Sequence, residues 1–364
     1  MKRIKVNLDK PSSLSYEICI GHSILDRIGL VIAKGNLAQR YTVITDSNVS
    51  ALYGQEVLNV LNKAKVKADL IEFPAGESSK NMDTVLAIAK ELLARGTDRS
   101  SALIALGGGV TGDMTSFIAS IYMRGVPCIQ VPTTLMAQVD SSLGGKTGID
   151  LREGKNLMGT FSQPQAVFID LRFLETLPEE EFTHGLSEVV KYGIIDDVDL
   201  FTLLEENSDA IRTRNPDILQ TIVERSCKIK KGIVEIDEKD VGVRRILNFG
   251  HTVGHAVEAA SGYTIPHGHA VSVGMIASAR ISERMKYLPA EETKRIRSLL
   301  RSLGLADYIP ASIHTETIIS KIGTDKKKKG EVVHFVLLKN IGMPFINGSV
   351  NEALLRETIE ELKQ

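Results

Sequence analysis

The first half of the chain alternates short apolar segments with amphipathic ones. Six apolar segments have the pattern of strands, at 16–21, 41–46, 68–73, 101–106, 127–132 and 165–170. Helical periodicity separates several of them, as in MDTVLAIAKELLARG at 82–96, which ends on a glycine. Strands that alternate with helices predict βαβ units and a largely parallel sheet. Since ligands of such sheets bind at the carboxyl ends of the strands, we expect a crevice there.

The pattern changes near residue 178. The rest of the chain has mainly helical periodicity, over 184–195, 199–213, 216–236, 245–261, 268–286, 290–304 and 350–363. Only EVVHFVLL (331–338) has the pattern of a strand, and we interpret it as half of a small hairpin. We therefore predict an α/β domain over residues 1–177 and a mainly α-helical domain over 178–364, which forms the other wall of the crevice.

Composition narrows the class of protein. The 364 residues suggest two domains, at roughly 150 residues each. A net charge of −1 argues against nucleic acid or a membrane surface as a partner, and no run approaches the length of a membrane span. The three cysteines are widely spaced and lack a CxxC pair, which is typical of free thiols in a reducing compartment. These features predict a cytoplasmic protein.

A glycine-rich segment, ALGGGVTGD at 105–113, follows a predicted strand and opens a predicted helix. It contains G-x-G-x-x-G, a pattern that lets backbone amides approach a pyrophosphate at a helix N-terminus. No acidic residue lies about twenty positions further on, so this is not the standard Rossmann arrangement. Asp46, at the end of an earlier strand, is the better candidate for the ribose. A tight turn alone would explain the glycines but not Asp113.

Anion-binding residues are concentrated in VPTTLMAQVDSSLGGKTGID at 131–150 and REGKNLMGTF at 152–161. Asp140 supplies a carboxylate, Lys146 is flanked by glycines, and Lys155 with Asn156 adds a cation and an amide. Further cations are Arg124, Lys191, Lys230, Arg244 and the lysine run 326–329, which by itself is typical of a solvated loop. So many cations indicate a substrate with phosphate, carboxylate or both.

Four of the eight histidines lie between residues 250 and 271. His251 and His255 share a helix face at i, i+4 spacing, and a second pair follows. Glu188 and Lys191 are likewise one turn apart. Structural histidines and a surface ion pair are the alternatives, but the second histidine pair favours metal coordination. Zinc in catalytic sites takes three protein ligands, and a His/His/Glu set is attainable with Glu188. Which histidines bind stays open at this point. A metal beside a dinucleotide crevice indicates alcohol oxidation.

Seven motifs in order closely resemble the 3-dehydroquinate synthase family over essentially the whole chain. They are PAGESSK (74–80), LGGGVTGD (106–113), VPTTLMAQVDSSLGGKTGID (131–150), GKNLMGTF (154–161), GLSEVVKYG (185–193), DEKDVGVRRILNFGHTVGHAVE (237–258) and HGHAVSVGM (267–275). The resemblance implies the fold of that family, with NAD bound to a Rossmann-like parallel sheet and a divalent metal, zinc or cobalt, between the domains. It also implies a homodimer that converts a sugar phosphate, 3-deoxy-D-arabino-heptulosonate 7-phosphate, to 3-dehydroquinate and phosphate in the shikimate pathway.

The resemblance also implies roles for individual residues. The metal ligands would be Glu188, His251 and His267. Residues that act on the substrate during catalysis would be Asp140, Lys146, Asn156, Lys191 and His255. Substrate binding would fall to Lys230, Arg244, Asn248, Lys326 of the lysine run, and Arg124, which would reach the site of the neighbouring subunit. NAD would contact Asp46, Glu77, Lys80, Gly108, Gly109, Val110, Asp113, Thr133, Thr134, Lys146, Lys155, Phe173 and Thr176.

One position departs from the family pattern. The family usually has glutamate where this chain has His269. We therefore expect a carboxylate that would orient groups near the metal to be missing, and His269 to be an alternative to His267 as ligand.

Three other functions compete with dehydroquinate synthesis. A related cyclase of the valiolone or inosose type would act on a substrate without the carboxylate, which Lys230 and Arg244 argue against. A metal-dependent polyol dehydrogenase of the same fold would accumulate NADH, whereas a cyclase releases phosphate. A non-catalytic NAD- or metal-binding regulator would not need both acid/base and anion-binding residues.

Overall fold

The structure is a computed structural model that describes residues 15–327 and 333–364, with side chains described for 15–322 and 333–364. Six parallel strands form one sheet in the order β1–β8–β5–β4–β2–β3. They are β1 (Glu17–Gly21), β2 (Arg40–Asp46), β3 (Ala68–Phe73), β4 (Ser101–Gly107), β5 (Cys128–Pro132) and β8 (Ala166–Asp170). The six predicted strands are thus confirmed to within one residue at each end.

The first part of the chain supplies five helices. They are α1 (Leu25–Gly35), α2 (Ser47–Val49), α3 (Gln55–Lys63), α4 (Met82–Ala94) and α5 (Gly109–Ile121), and a π-helical segment at Ser50–Gly54 joins α2 to α3. Two apolar cores lie on opposite faces of the sheet because neighbouring side chains of a strand point to opposite sides. Val43 of β2 belongs to one core and Ile44 to the other.

The second part of the chain is mainly helical. Its helices are α6 (Glu179–Ile195), α7 (Val198–Glu206), α8 (Ser208–Arg212), α9 (Pro216–Ile236), α10 (His251–Ala260), α11 (His267–Arg284), α12 (Ala290–Ser302), α13 (Thr315–Lys327) and α14 (Glu352–Glu361). The single helix predicted over 199–213 is wrong, because the chain breaks at Asn207 into α7 and α8. The helix predicted to begin at 245 begins at 251, since 243–248 forms a 3-10 turn and Gly250 has a φ of +80°. The sequence analysis missed α13.

Two small antiparallel hairpins complete the described secondary structure. The first, β6 (Ile149–Leu151) with β7 (Gly154–Met158), was not predicted. The second pairs β9 (Phe335–Asn340) with β10 (Met343–Asn347) and confirms the predicted late hairpin. Residues 331 and 332 of the predicted strand lie outside the described residues.

A third core joins the helical part to the sheet. Phe182, Phe201 and Phe249 lie in it together with Val167 and Ile169 of β8. The predicted fold class, an α/β sheet part followed by a mainly helical part, is confirmed. The domain boundary between residues 177 and 178 stays a prediction. The three cysteines are free thiols, as predicted.

Helices α10 and α11 approach each other through glycines. A Cβ added at Gly274 would overlap the carbonyl oxygen of Gly250, and one at Gly254 would lie 2.9 Å from the carbonyl oxygen of Ala270. Only glycine permits backbones to come this close. The two helices that carry four histidines are therefore held in register by main-chain contact.

Within the described residues, no helix has the length and apolar character needed to cross a bilayer. The predicted cytoplasmic location stays a prediction.

Candidate active site

A cavity of about 1980 Å³ lies where the carboxyl ends of the strands face the helical part. Asp46, Gly108 and Thr133 line it from the strand ends, and His251 and His267 line it from the helices. Most of the predicted site residues line this cavity. Glu188 and Lys191 do not line it, because they are buried directly behind the histidines.

Three histidines form a cluster at the helical wall. His251 and His255 lie one turn apart on α10, and His267 is the first residue of α11. One ring nitrogen of each lies within 4.8 Å of the others. Burial lowers the pKa of His251 well below its ordinary value, as does the nearby Lys191 cation, and burial beside His267 lowers that of His255 to about 4. Both rings are therefore neutral near pH 7, the form that binds metals.

Glu188 of α6 contacts this cluster from its buried side. Its Oε1 lies 3.5 Å from His251 Nε2 and 3.9 Å from His267 Nε2, and its side chain is fully buried. Lys191 forms an ion pair with Oε2. Oε1 is buried and accepts no hydrogen bond from the described residues, a costly state for a carboxylate. A divalent cation held by Glu188 and the histidines would satisfy this oxygen, so the donor set fits a metal.

His269 lies outside the cluster. Its Nδ1 accepts the backbone N–H of Ala306 at 3.1 Å, and its ring stands edge-on to His184 with centroids 4.8 Å apart. Of the two alternatives for the third ligand, His267 is therefore the one that lies beside Glu188. The assignment of roles to these residues stays a prediction.

The family's glutamate is absent at position 269, but a different carboxylate lies beside His267. Glu258 of α10 lies with Oε2 3.3 Å from His267 Nδ1, and its Oε1 accepts a hydrogen bond from Lys155 Nζ at 2.7 Å. Burial alone would raise the pKa of Glu258, but His267 and Lys155 outweigh it and hold the pKa at about 2. Glu258 is the last residue of the motif at 237–258, but it was given no role there, because its contact with His267 joins two helices.

The glycine-rich turn between β4 and α5 forms the opposite wall. A Cβ at Gly108 would lie 2.9 Å from Thr134 Cγ2, so only a bare backbone fits beside this strand end. Asp46 caps α2 by accepting the N–H groups of Asn48 and Val49 at 3.1 Å, and its Oδ2 accepts from Thr111 Oγ1 at 3.2 Å. The predicted ribose carboxylate thus lies next to the predicted pyrophosphate turn.

Charged residues beside the cavity form two hydrogen-bonded groups, one within the sheet part and one between the two parts. Lys80 Nζ donates to Asp113 Oδ2 at 2.6 Å and to Asn156 Oδ1 at 2.7 Å. Lys230 Nζ donates to Asp140 Oδ1 at 2.6 Å. The same oxygen accepts from Tyr192 Oη at 2.6 Å. Burial would raise the pKa of Asp140, but Lys230 and Lys191 lower it far below its usual range.

Lys146 and Arg244 already have protein partners. Lys146 forms an ion pair with Asp240, and Arg244 donates to the carbonyl oxygens of Glu238 at 2.6 Å and Gly144 at 3.1 Å. The roles of Asp240 and Tyr192 were not predicted. Asp240 lies in a charged segment whose composition is typical of a solvated loop, and Tyr192 lies on an apolar helix face. The partners of both side chains depend on tertiary packing.

The remaining predicted residues have different positions. Asn248 lines the cavity. So do the other predicted cofactor contacts, which are Glu77, Gly109, Val110, Thr134, Phe173 and Thr176. Arg124 does not line it, and lies exposed in a 3-10 turn whose last two residues and following Gly125 all have positive φ. The backbone of Lys326 lies in the last turn of α13, and its side chain is outside the described residues.

The fold first defines a class that contains both cyclases and dehydrogenases. A 2-epi-5-epi-valiolone synthase from Streptomyces hygroscopicus subsp. jinggangensis 5008, solved with NAD+ and Zn2+ bound, is 27% identical with a TM-score of 0.90 over 98% of this chain and 99% of that one. A 2-deoxy-scyllo-inosose synthase complexed with carbaglucose-6-phosphate, NAD+ and Co2+ is 30% identical with a TM-score of 0.85 over 94% and 96%. A maleylacetate reductase from Agrobacterium tumefaciens, 11% identical with a TM-score of 0.69 over 98% and 99%, shares the fold.

Sequence comparison then selects one family within this class. The 3-dehydroquinate synthase N-terminal family model matches residues 70–184, and the C-terminal model matches 185–328. The 3-dehydroquinate synthase of Thermodesulfovibrio yellowstonii is 42% identical over 99% of this chain and 100% of its own length. That of Acidithiobacillus ferrooxidans is 46% identical over 95% of each. The chain belongs to the 3-dehydroquinate synthase family, which confirms the resemblance seen in the motifs.

Proposed function

We propose that this protein is a 3-dehydroquinate synthase, which converts 3-deoxy-D-arabino-heptulosonate 7-phosphate to 3-dehydroquinate and inorganic phosphate. The observation that carries the proposal is one cavity with a cluster of three histidines over a buried carboxylate, together with several buried cations. Family membership supports the same activity. The reaction class is a carbon–oxygen lyase that eliminates phosphate and closes a carbocycle.

NAD and a divalent metal are the cofactors we propose. The fit of Glu188, His251 and His267 to a cation and the bare backbone beside Thr134 support both. Two related cyclases were solved with NAD+ and with Zn2+ or Co2+. We propose zinc, with cobalt as a functional substitute. When bound, these groups supply polarisation of a substrate hydroxyl and reversible acceptance of hydride.

The chain's own residues bind and orient the substrate in this proposal. Lys146 and Asn156 would hold the phosphate end, and Lys230 with Arg244 would hold the carboxylate. The substrate anions would replace protein partners such as Asp240, which now neutralises Lys146. His255 is neutral and lines the cavity, so its ring can form a hydrogen bond that orients the phosphate. The phosphate of the substrate is itself a base. It can remove the substrate C6 proton, whose loss leads to elimination of the phosphate.

We also propose a homodimer in which Arg124 enters the partner's site. The exposed arginine on a turn of consecutive positive-φ residues supports this, because residues in such conformations cluster at sites of contact or function. Apolar side chains nearby would be covered by a second copy. Ile121, Leu157 and Phe161 are 48%, 58% and 43% exposed, and Thr160 Oγ1 donates to Ser120 Oγ at 2.8 Å, which joins the β6–β7 end to α5.

A phosphate-release assay tests the function. Enzyme with NAD and metal should release phosphate from the heptulosonate phosphate and form dehydroquinate. It should lose this activity after chelation and regain it on addition of Zn2+ or Co2+. Turnover of sedoheptulose 7-phosphate without dehydroquinate synthesis would instead indicate a valiolone-type cyclase. Net NADH accumulation with glycerol-like alcohols would indicate a polyol dehydrogenase.

A further inference from the structure

Glu258 connects the histidine cluster to the β6–β7 hairpin. It lies one turn after His255 on α10, is only 4% exposed, and uses its two oxygens for different partners. Oε2 lies 3.3 Å from His267 Nδ1, and Oε1 accepts from Lys155 Nζ at 2.7 Å. Lys155 belongs to β7, so one carboxylate joins a proposed metal ligand on the helical part to a proposed NAD contact on the sheet part.

The first of these contacts fixes the tautomer of His267. A carboxylate is only an acceptor, so His267 Nδ1 must carry the hydrogen and donate it. His267 Nε2 then has the free lone pair, and this nitrogen is the one that lies 3.9 Å from Glu188 Oε1. A carboxylate behind a ligating histidine orients the ring and strengthens it as a ligand.

The second contact fixes the hairpin. Lys155 Nζ also lies 3.7 Å from Glu77 Oε1 and 5.1 Å from the ring centroid of Tyr263. Its side chain is 32% exposed, whereas that of Glu258 is 5% exposed, so Glu258 is the buried anchor of this group. Loss of Glu258 would remove the nearest partner of the lysine ammonium and leave it only the more distant carboxylate of Glu77.

We propose that Glu258 is a positioning residue that orients His267 for the metal, holds Lys155 for the cofactor, and thereby couples the binding of metal and NAD. The inference rests on the proposed function, since the metal and NAD are the cofactors proposed there. Bound metal would order His267, and bound NAD would order Lys155. Because Glu258 contacts both side chains, the binding of either ligand would favour the binding of the other. The coupling is reciprocal, so NAD tightens metal binding by the same factor by which metal tightens NAD binding.

The test measures metal and NAD binding, not turnover alone. Metal affinity is measured by competition with a chelator of known affinity, the ligand field by the absorption spectrum of the Co2+ form, and NAD affinity by calorimetry with and without Zn2+. Glu258→Ala should weaken Zn2+ binding on the order of 10- to 100-fold and change the Co2+ spectrum. Glu258→Gln should lose less, because its amide oxygen still accepts from His267 Nδ1.

Lys155→Met isolates the second contact. It should leave Zn2+ affinity without NAD within about threefold of wild type, because His267 keeps its partner. The factor by which NAD tightens Zn2+ binding should fall to nearly one in all three variants, because each removes the ion pair between the two groups. Glu205→Ala is the matched control, since it removes an ion pair with Arg295 elsewhere on the helical part and should change neither affinity.

Two results would overturn the proposal. Wild-type Zn2+ affinity and an unchanged Co2+ spectrum in Glu258→Ala would show that Glu258 does not orient His267. An undiminished effect of NAD on Zn2+ affinity in that variant would show that it does not couple the two ligands. Thermal unfolding of the metal-free variants separates these outcomes from misfolding. Failure of the proposed function is distinct, because it would appear as wild-type protein that binds metal and NAD but releases no phosphate.

Discussion

At the scale of single residues, two histidines separated by one glycine have different surroundings. His267 faces Glu188 and Glu258, whereas His269 accepts the N–H of Ala306 and packs on His184. On a helix, residues two apart point in directions about 200° apart, so only one of them faces the cavity. The departure from the family pattern therefore falls on the face away from the proposed metal.

Replacement of each histidine should separate the two roles. His267→Ala should lose tight binding of Zn2+, because one of the three proposed ligands is removed. His269→Ala should bind Zn2+ within about threefold of wild type. It should lose about 1 kcal/mol of unfolding free energy, because the backbone N–H of Ala306 loses its acceptor. Metal titration and chemical unfolding of the metal-free proteins measure both effects. Weakened metal binding in His269→Ala alone would contradict this assignment.

Motif positions predicted the chemistry of the site better than its contacts. Residue type and spacing indicated a His/Glu metal site, whereas the choice of Glu188, His251 and His267 came from the family resemblance and stays a prediction. The contacts of Glu258, Asp240 and Tyr192 were not predicted, since Lys155, Lys146 and Asp140, their respective partners, each lie more than 50 residues away in sequence. The position of a carboxylate or phenol in the sequence does not indicate which side chain it contacts in the folded protein.

At the scale of elements, the apolar pattern of the sequence predicted most helices and strands of the core, but it did not predict the short elements. The four central strands β2, β4, β5 and β8 are almost fully buried, so they appear in the sequence as continuous apolar runs. The β6–β7 hairpin has strands of three and five residues with charged side chains, too short for any period to emerge. The break between α7 and α8 and the late start of α10 depend on local caps and on Gly250.

Asp197 is the cap that starts α7, and its removal should have a measurable cost. It accepts the N–H of Leu200 at 3.0 Å and two hydrogen bonds from Arg225 at 2.7 and 2.8 Å. Asp197→Ala should lower the free energy of unfolding by about 1–2 kcal/mol at pH 7. Asp199→Ala is the control, because Asp199 is 91% exposed and should change the free energy by less than about 0.5 kcal/mol.

The cost of this substitution should depend on pH. Burial would raise the pKa of Asp197, but Arg225 and the Leu200 amide lower it below its ordinary value. A folded-state pKa below the unfolded one means that the stabilisation is present above the unfolded pKa and is lost as the pH falls through the folded pKa. The difference between wild type and Asp197→Ala should therefore shrink below a pH of about 4. Urea unfolding at pH 7 and pH 3 measures this, and a difference that grows in acid would refute it.

At the scale of the whole molecule, the sequence predicted the fold class but not the order of the strands. Which strands pair depends on how the crossovers pack, and β1 pairs with β8 although some 150 residues separate them. The cavity likewise results from the placement of the helical part over the strand ends. The contacts across it, such as Lys146 with Asp240, are mainly ionic, so substrate anions compete for cations that the protein already neutralises.

Subunit complementation tests the proposed dimer. Arg124→Ala and Lys191→Ala should each abolish phosphate release alone. In a heterodimer of the two variants, one site would have its own Lys191 and an intact Arg124 from the other chain. A randomly assorted equal mixture should therefore recover about a quarter of wild-type activity. Co-expression with two affinity tags, followed by the phosphate assay, measures it. A mixture no more active than the separate variants would show that Arg124 acts within its own chain.

The glycine contacts between α10 and α11 bear on how the protein acquires its metal. The backbone contacts at Gly250, Gly254 and Gly274 set the separation of His251 and His267. Small zinc domains, by contrast, fold only around their metal. We therefore expect this chain to fold before it takes up its proposed metal. Metal-free protein should then accept Co2+ in place of Zn2+ without being refolded, which gives a form with a visible absorption spectrum.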